Sequence, residues 1–392
     1  MNGPRVAHLD FIDDPGVNRK LREQAEAARG LGLPIDFFAI SHMHQDHDEG
    51  ALRLRRSRRS AAPLRNIGRF LYGLIAERED LVAPYVDPNY YDLFIIRFGK
   101  VFLAQGITYK RYSRRIVTEH HTDEIAELLL KAGLGRRILA SVSLRRSRRS
   151  MARVGAIVAM TGELAELEAQ KTGRADMPRF VFSNGAEVPA AGPPARMYRL
   201  GEPLQMAFAA SSYSPWQGLD RLLAGLSSYA GQSPLHLRIA GRLENDQANA
   251  IRRVADLPNV RIQTVGLLDR AGMADLYAWA HIGIAALSMF RNRIREACPL
   301  KVREYAAHGL PFVYAFIDPD FPQDWPFALR LPADDSLIDI QRVVRFTEEL
   351  YTRGDPGPSI HAYALAHLDW KAKLVRLYDF LCSLPSFRGR PS

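Results

Sequence analysis

Two glutamates with seven residues between them, Glu296 and Glu304, stand in the segment REACPLKVREYAAHGLPF, residues 295–312. Carboxylates accept hydrogen bonds from hydroxyl groups, so a pair flanking one helix start suits a sugar. The free peptide N–H groups of a helix's first turn, with the positive end of its dipole, suit a phosphate. The spacing places Glu296 just before the helix, Cys298-Pro299-Leu300 at its N-terminus and Glu304 about a turn and a half inside. The helix is expected to close with Ala306-Ala307-His308-Gly309, because glycine takes the left-handed conformation that follows a helix end. Leu310-Pro311-Phe312-Val313 then begins a strand.

A second group of reactive side chains occupies residues 41–50, SHMHQDHDEG. His42, His44, Asp46 and His47 are imidazole and carboxylate donors at a spacing that can hold zinc, and the string resembles the metal signature of the metallo-β-lactamase superfamily. That signature also needs a third downstream His and a bridging Asp. His120 and His121 lie at a suitable distance along the chain, but no later segment completes the set. A polar surface loop without metal is the expectation, with a zinc hydrolase on these four residues as an alternative. Thr118-Glu119-His120-His121 falls at a strand end, where a His can face a cleft and act on a sugar hydroxyl or can be purely structural; Thr122 is placed to cap a helix over Asp123–Ala132.

The elements that must position these groups read as alternating strands and helices. Val6–Ile12 and Ile35–Ile40 are strands, separated by a turn over Asp13–Asn18 and a helix over Arg19–Leu31. This is a βαβ unit, and Gly16 in its loop allows backbone to approach a ligand. Strands follow at Leu93–Arg97, Ile116–Thr118 and Ala156–Ala159, with a helix from Glu163 to Thr172 and a turn at Ser183-Asn184-Gly185. Residues 188–196, rich in Pro, Ala and Gly, mark a domain boundary. Beyond it, strands Leu204–Ala210, Leu235–Ala240, Val260–Val265 and Ile282–Leu287 alternate with helices Trp216–Tyr229, Asp246–Ala255 and Met273–Ala280. Ile360–Leu381 reads as one amphipathic helix with Leu368, Val375, Tyr378 and Leu381 on a common side. The expected organisation is an α/β chain of two doubly wound, Rossmann-like domains, 1–192 and 193–358, with a C-terminal helical segment 359–392.

The 392-residue chain is long enough for two cores. It holds no apolar run of membrane-spanning length and no signal pattern at its N-terminus. Two cysteines, Cys298 and Cys382, make neither a disulfide framework nor a metal cluster, and a cytoplasmic setting fits best. The net charge is +10, with 45 Arg against 8 Lys, which favours anionic partners. The heptapeptide LRRSRRS occurs at Leu54–Ser60 and again at Leu144–Ser150. Both copies are expected to be solvated, or to form a rim that docks on an anionic membrane face; Ile67–Ala76 between them is a core helix or lies on such a surface. The stretches lack interleaved aromatic residues, so nucleic acid is not expected as a partner.

The second half resembles the retaining, family 4 glycosyltransferases of the GT-B fold. The residues that carry the resemblance are Trp216-Gln217-Gly218-Leu219-Asp220-Arg221-Leu222-Leu223, Leu237-Arg238-Ile239-Ala240-Gly241, Val260–Gly266, Leu276–Leu287 and the Glu296-x7-Glu304 segment with Gly309-Leu310-Pro311. Pro299–Tyr305 is most similar to bacterial capsule and exopolysaccharide members. The first half fits through Pro15-Gly16-Val17 and Ser183-Asn184-Gly185. The resemblance implies two domains facing a cleft that holds a UDP- or GDP-linked sugar, a tail helix that crosses back to the first domain, and a glycan or polyprenyl-linked acceptor. It implies a hexosyltransferase that needs no metal or other cofactor and works in surface polysaccharide synthesis; the expected setting is the cytoplasm, with the arginine-rich stretches as the features that would bring it to the inner face of the plasma membrane.

Carried over by position, Glu296 contacts the donor hexose and Glu304 the ribose. The backbone of Ala297, Cys298, Pro299, Leu300 and Lys301 meets the diphosphate, while Gly266 and Leu268 lie by the base. Gly16 and Val17 approach the donor from the other domain, and His121 is the cleft histidine. One departure stands out. Relatives place an Arg and a Lys where this chain has Ser212 and Gln217, and a desolvated diphosphate needs countercharge. Lys301, Arg291, Arg293 and Arg295 are the candidates to supply it. Without such a replacement, a catalytically degenerate assembly partner is the second reading.

Overall fold

The computed structural model describes residues 3–11, 15–41, 43–57, 80–98, 106–123, 148–255 and 257–385. The chain forms two compact units, Met1–Ser183 with Trp370–Ser392, and Asn184–Asp369.

In the first unit the strands are β1 (Val6–Asp10), β2 (Ile35–Ser41), β3 (His47–Glu49), β4 (Leu52–Arg56), β5 (Leu93–Arg97), β6 (Ile116–His120), β7 (Ala156–Ala159) and β8 (Arg179–Val181). They form one sheet in the order β3-β4-β2-β1-β5-β6-β7-β8, parallel except for the β3–β4 pair. β1 and β6 are buried along their whole length, as expected for parallel strands covered on both faces. Helix α1 (Pro15–Gly30) follows β1. It starts four residues before the expected Arg19, because proline is favoured at a first helical position where no N–H is needed. Gly16 and Val17 therefore lie in its first turn. Helices α2 (Gly106–Tyr112) and α3 (Gly162–Thr172) and a 3-10 turn, Ser113–Arg115, are also described in this part of the chain. Thr161 caps α3 by accepting from the Leu164 N–H, and Gly173 ends it at φ +69°.

The first arginine repeat departs from the expected solvated stretch. Leu54–Arg56 is the end of β4, whose Leu52 and Leu54 are buried while Arg53 pairs with Asp36 at 2.8 Å and Arg55 with Asp48 at 2.8 Å. The alternation Leu-Arg-Leu-Arg is a strand pattern of period two, and it outweighs the charge content. Ile67–Ala76, most of the helix expected over Asp123–Ala132 and the first four residues of the second repeat lie outside the described residues.

The second unit holds β9 (Leu204–Ser212), β10 (Leu235–Arg242), β11 (Val260–Gly266), β12 (Ile282–Ile284), β13 (Phe312–Tyr314) and β14 (Ala328–Arg330). All are parallel, in the order β11-β10-β9-β12-β13-β14. Its helices are α4 (Leu219–Ser227), α5 (Asn245–Ala255), α6 (Arg270–Trp279), α7 (Leu300–Ala307), α8 (Ile340–Thr352) and α9 (Gly357–His367). The single helix expected over Trp216–Tyr229 is instead a 3-10 turn, Pro215–Gln217, and α4, hinged at Gly218 with φ +75°. β14 and the amphipathic α8 were not among the expected elements.

The unit boundaries also differ from the composition-based ones at 192 and 358. The chain crosses at Ser183–Asn184 because Ala186 already pairs with Asp369, whose carboxylate accepts from the Val188 N–H at 3.2 Å. The expected tail helix is split at Leu368–Asp369 for the same reason. Leu368 is buried in the second unit, while α10 (Trp370–Ser383) belongs to the first. There α10 packs on α1: Trp370, Leu374, Leu377 and Leu381 are buried, and Trp370 Nε1 donates to Glu23 at 2.9 Å. Val375, expected on the buried side, is 42 % exposed.

Candidate functional site

In the second unit the strand order reverses between β9 and β12. A crevice outside the carboxyl ends of the strands at such a switch point is where open α/β sheets bind ligands. β9 delivers Ser212, which is exposed, and the 3-10 turn that follows delivers Gln217, which is buried. The turn is zipped to the segment after β12 by Leu287 N–H to Gln217 O (3.0 Å) and Ser288 N–H to Trp216 O (3.2 Å). A side chain at Gly218 would come within 2.8 Å of the Leu287 Cβ, so only glycine permits this approach.

The Glu-x7-Glu segment comes next to it. Glu296 is half-buried, and its backbone is pinned by Ala297 N–H to Ile317 O and Ile317 N–H to Arg295 O, each 2.9 Å. Ala297 and Cys298 are buried, and burial pushes the Cys298 thiol up. Pro299 precedes α7 in an extended conformation, so the helix starts at Leu300 and Glu304 lies little more than one turn in. Gly309 follows the helix end at φ +64°, and a side chain there would strike Gly357 O at 2.7 Å. The Tyr277 hydroxyl donates to Glu304 at 2.7 Å.

Lys301, in the first turn of α7, donates to Gln217 Oε1 at 2.6 Å and lies 5.1 Å above the Phe208 ring. Burial lowers its ammonium to about pKa 7, against the opposing pull of Glu304. The structure thus brings the Lys301 side chain against Gln217, one of the two positions at which the sequence left countercharge missing. The other candidates fare differently. Arg291 bonds Asp220 (2.9 Å), Asp335 (2.7 Å) and Pro215 O (3.0 Å), while Arg293 and Arg295 are exposed.

Sequence reasoning missed the support beneath this helix start. Arg303 is fully buried and pairs with both oxygens of Asp318, one at 2.7 Å, and with Asp320, while its Nε donates to Asn184 O at 2.9 Å. Asn184 in turn donates to Cys298 O at 2.9 Å. Asn184, assigned by its motif to the first domain, belongs to the second unit and fixes the carbonyl two residues before α7. Gly266 ends β11 at φ +69° with no atom within 4 Å of where a Cβ would stand, Leu267 is 61 % exposed, and Leu268 is half-buried before the Asp269 cap of α6.

The first unit gathers charge at the carboxyl end of β6. Glu119 is buried with His8 Nε2 at 2.6 Å, His121 Nε2 at 2.7 Å and Lys20 Nζ at 3.5 Å. These partners hold its carboxylate well below the usual range despite burial. Burial, then the Lys20 charge, lowers His121 to about 3, so its imidazole is neutral. His120 is fully enclosed against Phe98 and bonded to Thr118 Oγ1 at 3.0 Å, a structural environment; His121 keeps 16 % of its side chain open to solvent.

The His-rich loop is locally satisfied. His44 Nδ1 lies 3.2 Å from Ala39 O, His47 Nδ1 3.1 Å from Gln45 O, and Asp46 accepts from the Arg56 N–H at 2.6 Å; His42 is outside the described residues. Among the described residues no group of three His, Cys, Asp or Glu side chains is placed to hold a metal. No helix among them is long and apolar enough to cross a membrane.

The sequence matches no protein-family model and no curated protein. Solved structures match along nearly the whole chain. Sucrose-phosphate synthase from Thermosynechococcus elongatus superposes with a TM-score of 0.61 at 15% identity, covering 96% of this chain and 98% of its own. A glycosyltransferase from Rickettsia africae gives 0.60 at 13% identity, over 98% and 100%. Anabaena HepE in complex with UDP and glucose gives 0.57 at 15% identity, over 97% and 99%. The fold is GT-B. At these identities the likeness concerns the fold alone. The GT-B architecture accounts for the paired doubly wound sheets and for the return of α10 to the first unit.

Proposed function

We propose that the chain is a retaining glycosyltransferase that moves a hexose from a UDP- or GDP-linked donor to a glycan or polyprenyl-linked acceptor. The observation that carries this reading is the Lys301–Gln217 contact at the start of α7, between Glu296 and Glu304. It sets a basic side chain at a helix N-terminus that lies, along the chain, between the two glutamates. In this reading the first-turn N–H groups of Leu300 and Lys301 and the Lys301 ammonium stabilise the departing diphosphate as charge develops on it. Glu296 accepts hydrogen bonds from donor-sugar hydroxyls and Glu304 from the ribose. The base lies by Gly266 and Leu268, and Ser212 and Gln217 offer neutral polar contacts to the phosphates. No metal or cofactor is required. HepE, solved with UDP and glucose, supports the donor class.

The test is release of UDP or GDP from a panel of nucleotide sugars with short polyprenyl-phosphate saccharides as acceptors, in the presence of EDTA. The anomeric configuration of the product is read by NMR. Absence of turnover with every donor, or inversion, overturns the reading. The neutral Ser212 favours a second one, a catalytically degenerate assembly partner, which is distinguished by calorimetry showing no heat with UDP or GDP.

A further inference from the structure

We propose that Arg242, at the carboxyl end of β10, is the second cation of the nucleotide diphosphate site and replaces charge that β9 lacks. The inference rests on the reading of the second unit as a nucleotide-sugar site and names a residue that the Glu-x7-Glu resemblance does not supply.

Three observations carry it. Arg242 is the register partner of Ser212, on the strand next to β9, and two residues earlier Ala240 is the partner of Gly266 on β11. Neighbouring strands lie about 4.8 Å apart, so a guanidinium on β10 reaches over the end of either one. It therefore stands between the position expected to meet phosphate and the position expected to meet the base. Second, the side chain is exposed and has no ion pair or hydrogen bond among the described residues, unlike Arg291 and Arg303, which are bonded to carboxylates.

Third, the backbone that presents it is tightly fixed. A Cβ at Gly241 (φ +138°) would lie 1.9 Å from Ala210 O, so the glycine lets β10 remain pressed on β9 up to Arg242. The Tyr213 hydroxyl, in the loop after β9, donates to Phe208 O at 2.6 Å and lies 3.0 Å from Ala240 O, so one proton is shared between β9 and β10. Gln247 Nε2 donates to Tyr213 O at 2.7 Å, tying the loop after β10 to the same place. An exposed, unpaired arginine on such a support offers its charge to an anion from a fixed backbone position. Its planar fork suits a diphosphate through two parallel hydrogen bonds, which a lysine cannot reproduce.

Calorimetry of the full chain tests this, with wild type, Arg242→Ala and Arg242→Lys each titrated with UDP and GDP, and with uridine and guanosine in competition. For the nucleoside diphosphate that wild type binds, Arg242→Ala is expected to raise Kd about tenfold or more and Arg242→Lys to recover part of the loss, while nucleoside affinity stays unchanged. Unchanged diphosphate affinity in Arg242→Ala, or an equal loss for nucleoside and nucleotide, overturns the inference and leaves the site reading intact. A wild-type chain that binds neither nucleotide overturns the site reading, and this inference with it.

Discussion

The ammonium of Lys301 lies 2.6 Å from Oε1 of Gln217, across 84 residues of sequence. A neutral amide on the turn after β9 thus has a basic side chain from the first turn of α7 held against it. If this cation serves the diphosphate, Lys301→Met should weaken UDP or GDP binding about 10- to 100-fold, the range expected for one charged hydrogen bond. Isothermal titration reads it. Affinity within a factor of two of wild type would remove Lys301 from the site.

Burial lowers Lys301 from its ordinary 10.5 to about 7. An arriving diphosphate favours the charged form, so binding at pH 8 should be accompanied by uptake of nearly one proton. That uptake appears as a dependence of the binding enthalpy on buffer ionisation heat, and it should vanish in Lys301→Met. Without ligand the sign is also fixed. Between about pH 7 and 10.5 the unfolded chain holds a proton that the folded chain lacks, so this group makes stability rise with pH across that window. Urea midpoints of wild type and Lys301→Met between pH 7 and 9.5 check the slope.

The two glutamates should separate by function. Glu296→Gln is expected to cut transfer by about a hundredfold or more through lost charge at the reacting sugar, while the affinity for bare UDP or GDP stays near normal. Glu304→Gln should instead weaken nucleotide binding. Paired turnover and titration measurements decide, and a loss of bare-nucleotide affinity in Glu296→Gln would contradict the assignment.

Arg303 is buried against Asp318 and Asp320. Arg303→Met strands two carboxylates and should cost about 3–5 kcal/mol, as for other buried pairs that lose one member. Denaturant unfolding measures it. A variant losing under 1 kcal/mol would show that Arg303 does not anchor α7.

Much of this protein is written locally. The alternation of apolar runs with Gly-ended helices determined the α/β class and most strands of the second unit, since helix and strand periods are properties of neighbouring residues. The Glu296–Glu304 spacing and Gly309 located α7 for the same reason. Tertiary structure alone decided which charges are committed. Arg303, Arg291 and Lys301 are alike in sequence, yet one is neutralised by Asp318 and Asp320, one is bonded to Asp220 and Asp335, and one is held by Gln217. Long-range pairing also split the expected tail helix at Asp369, whose carboxylate serves Val188, and it turned Leu54–Arg56 into strand. Such outcomes depend on partners from 15 to 181 residues away or on a neighbouring strand's register, and neither is encoded in a local pattern. The register is also what sets Arg242 beside Ser212.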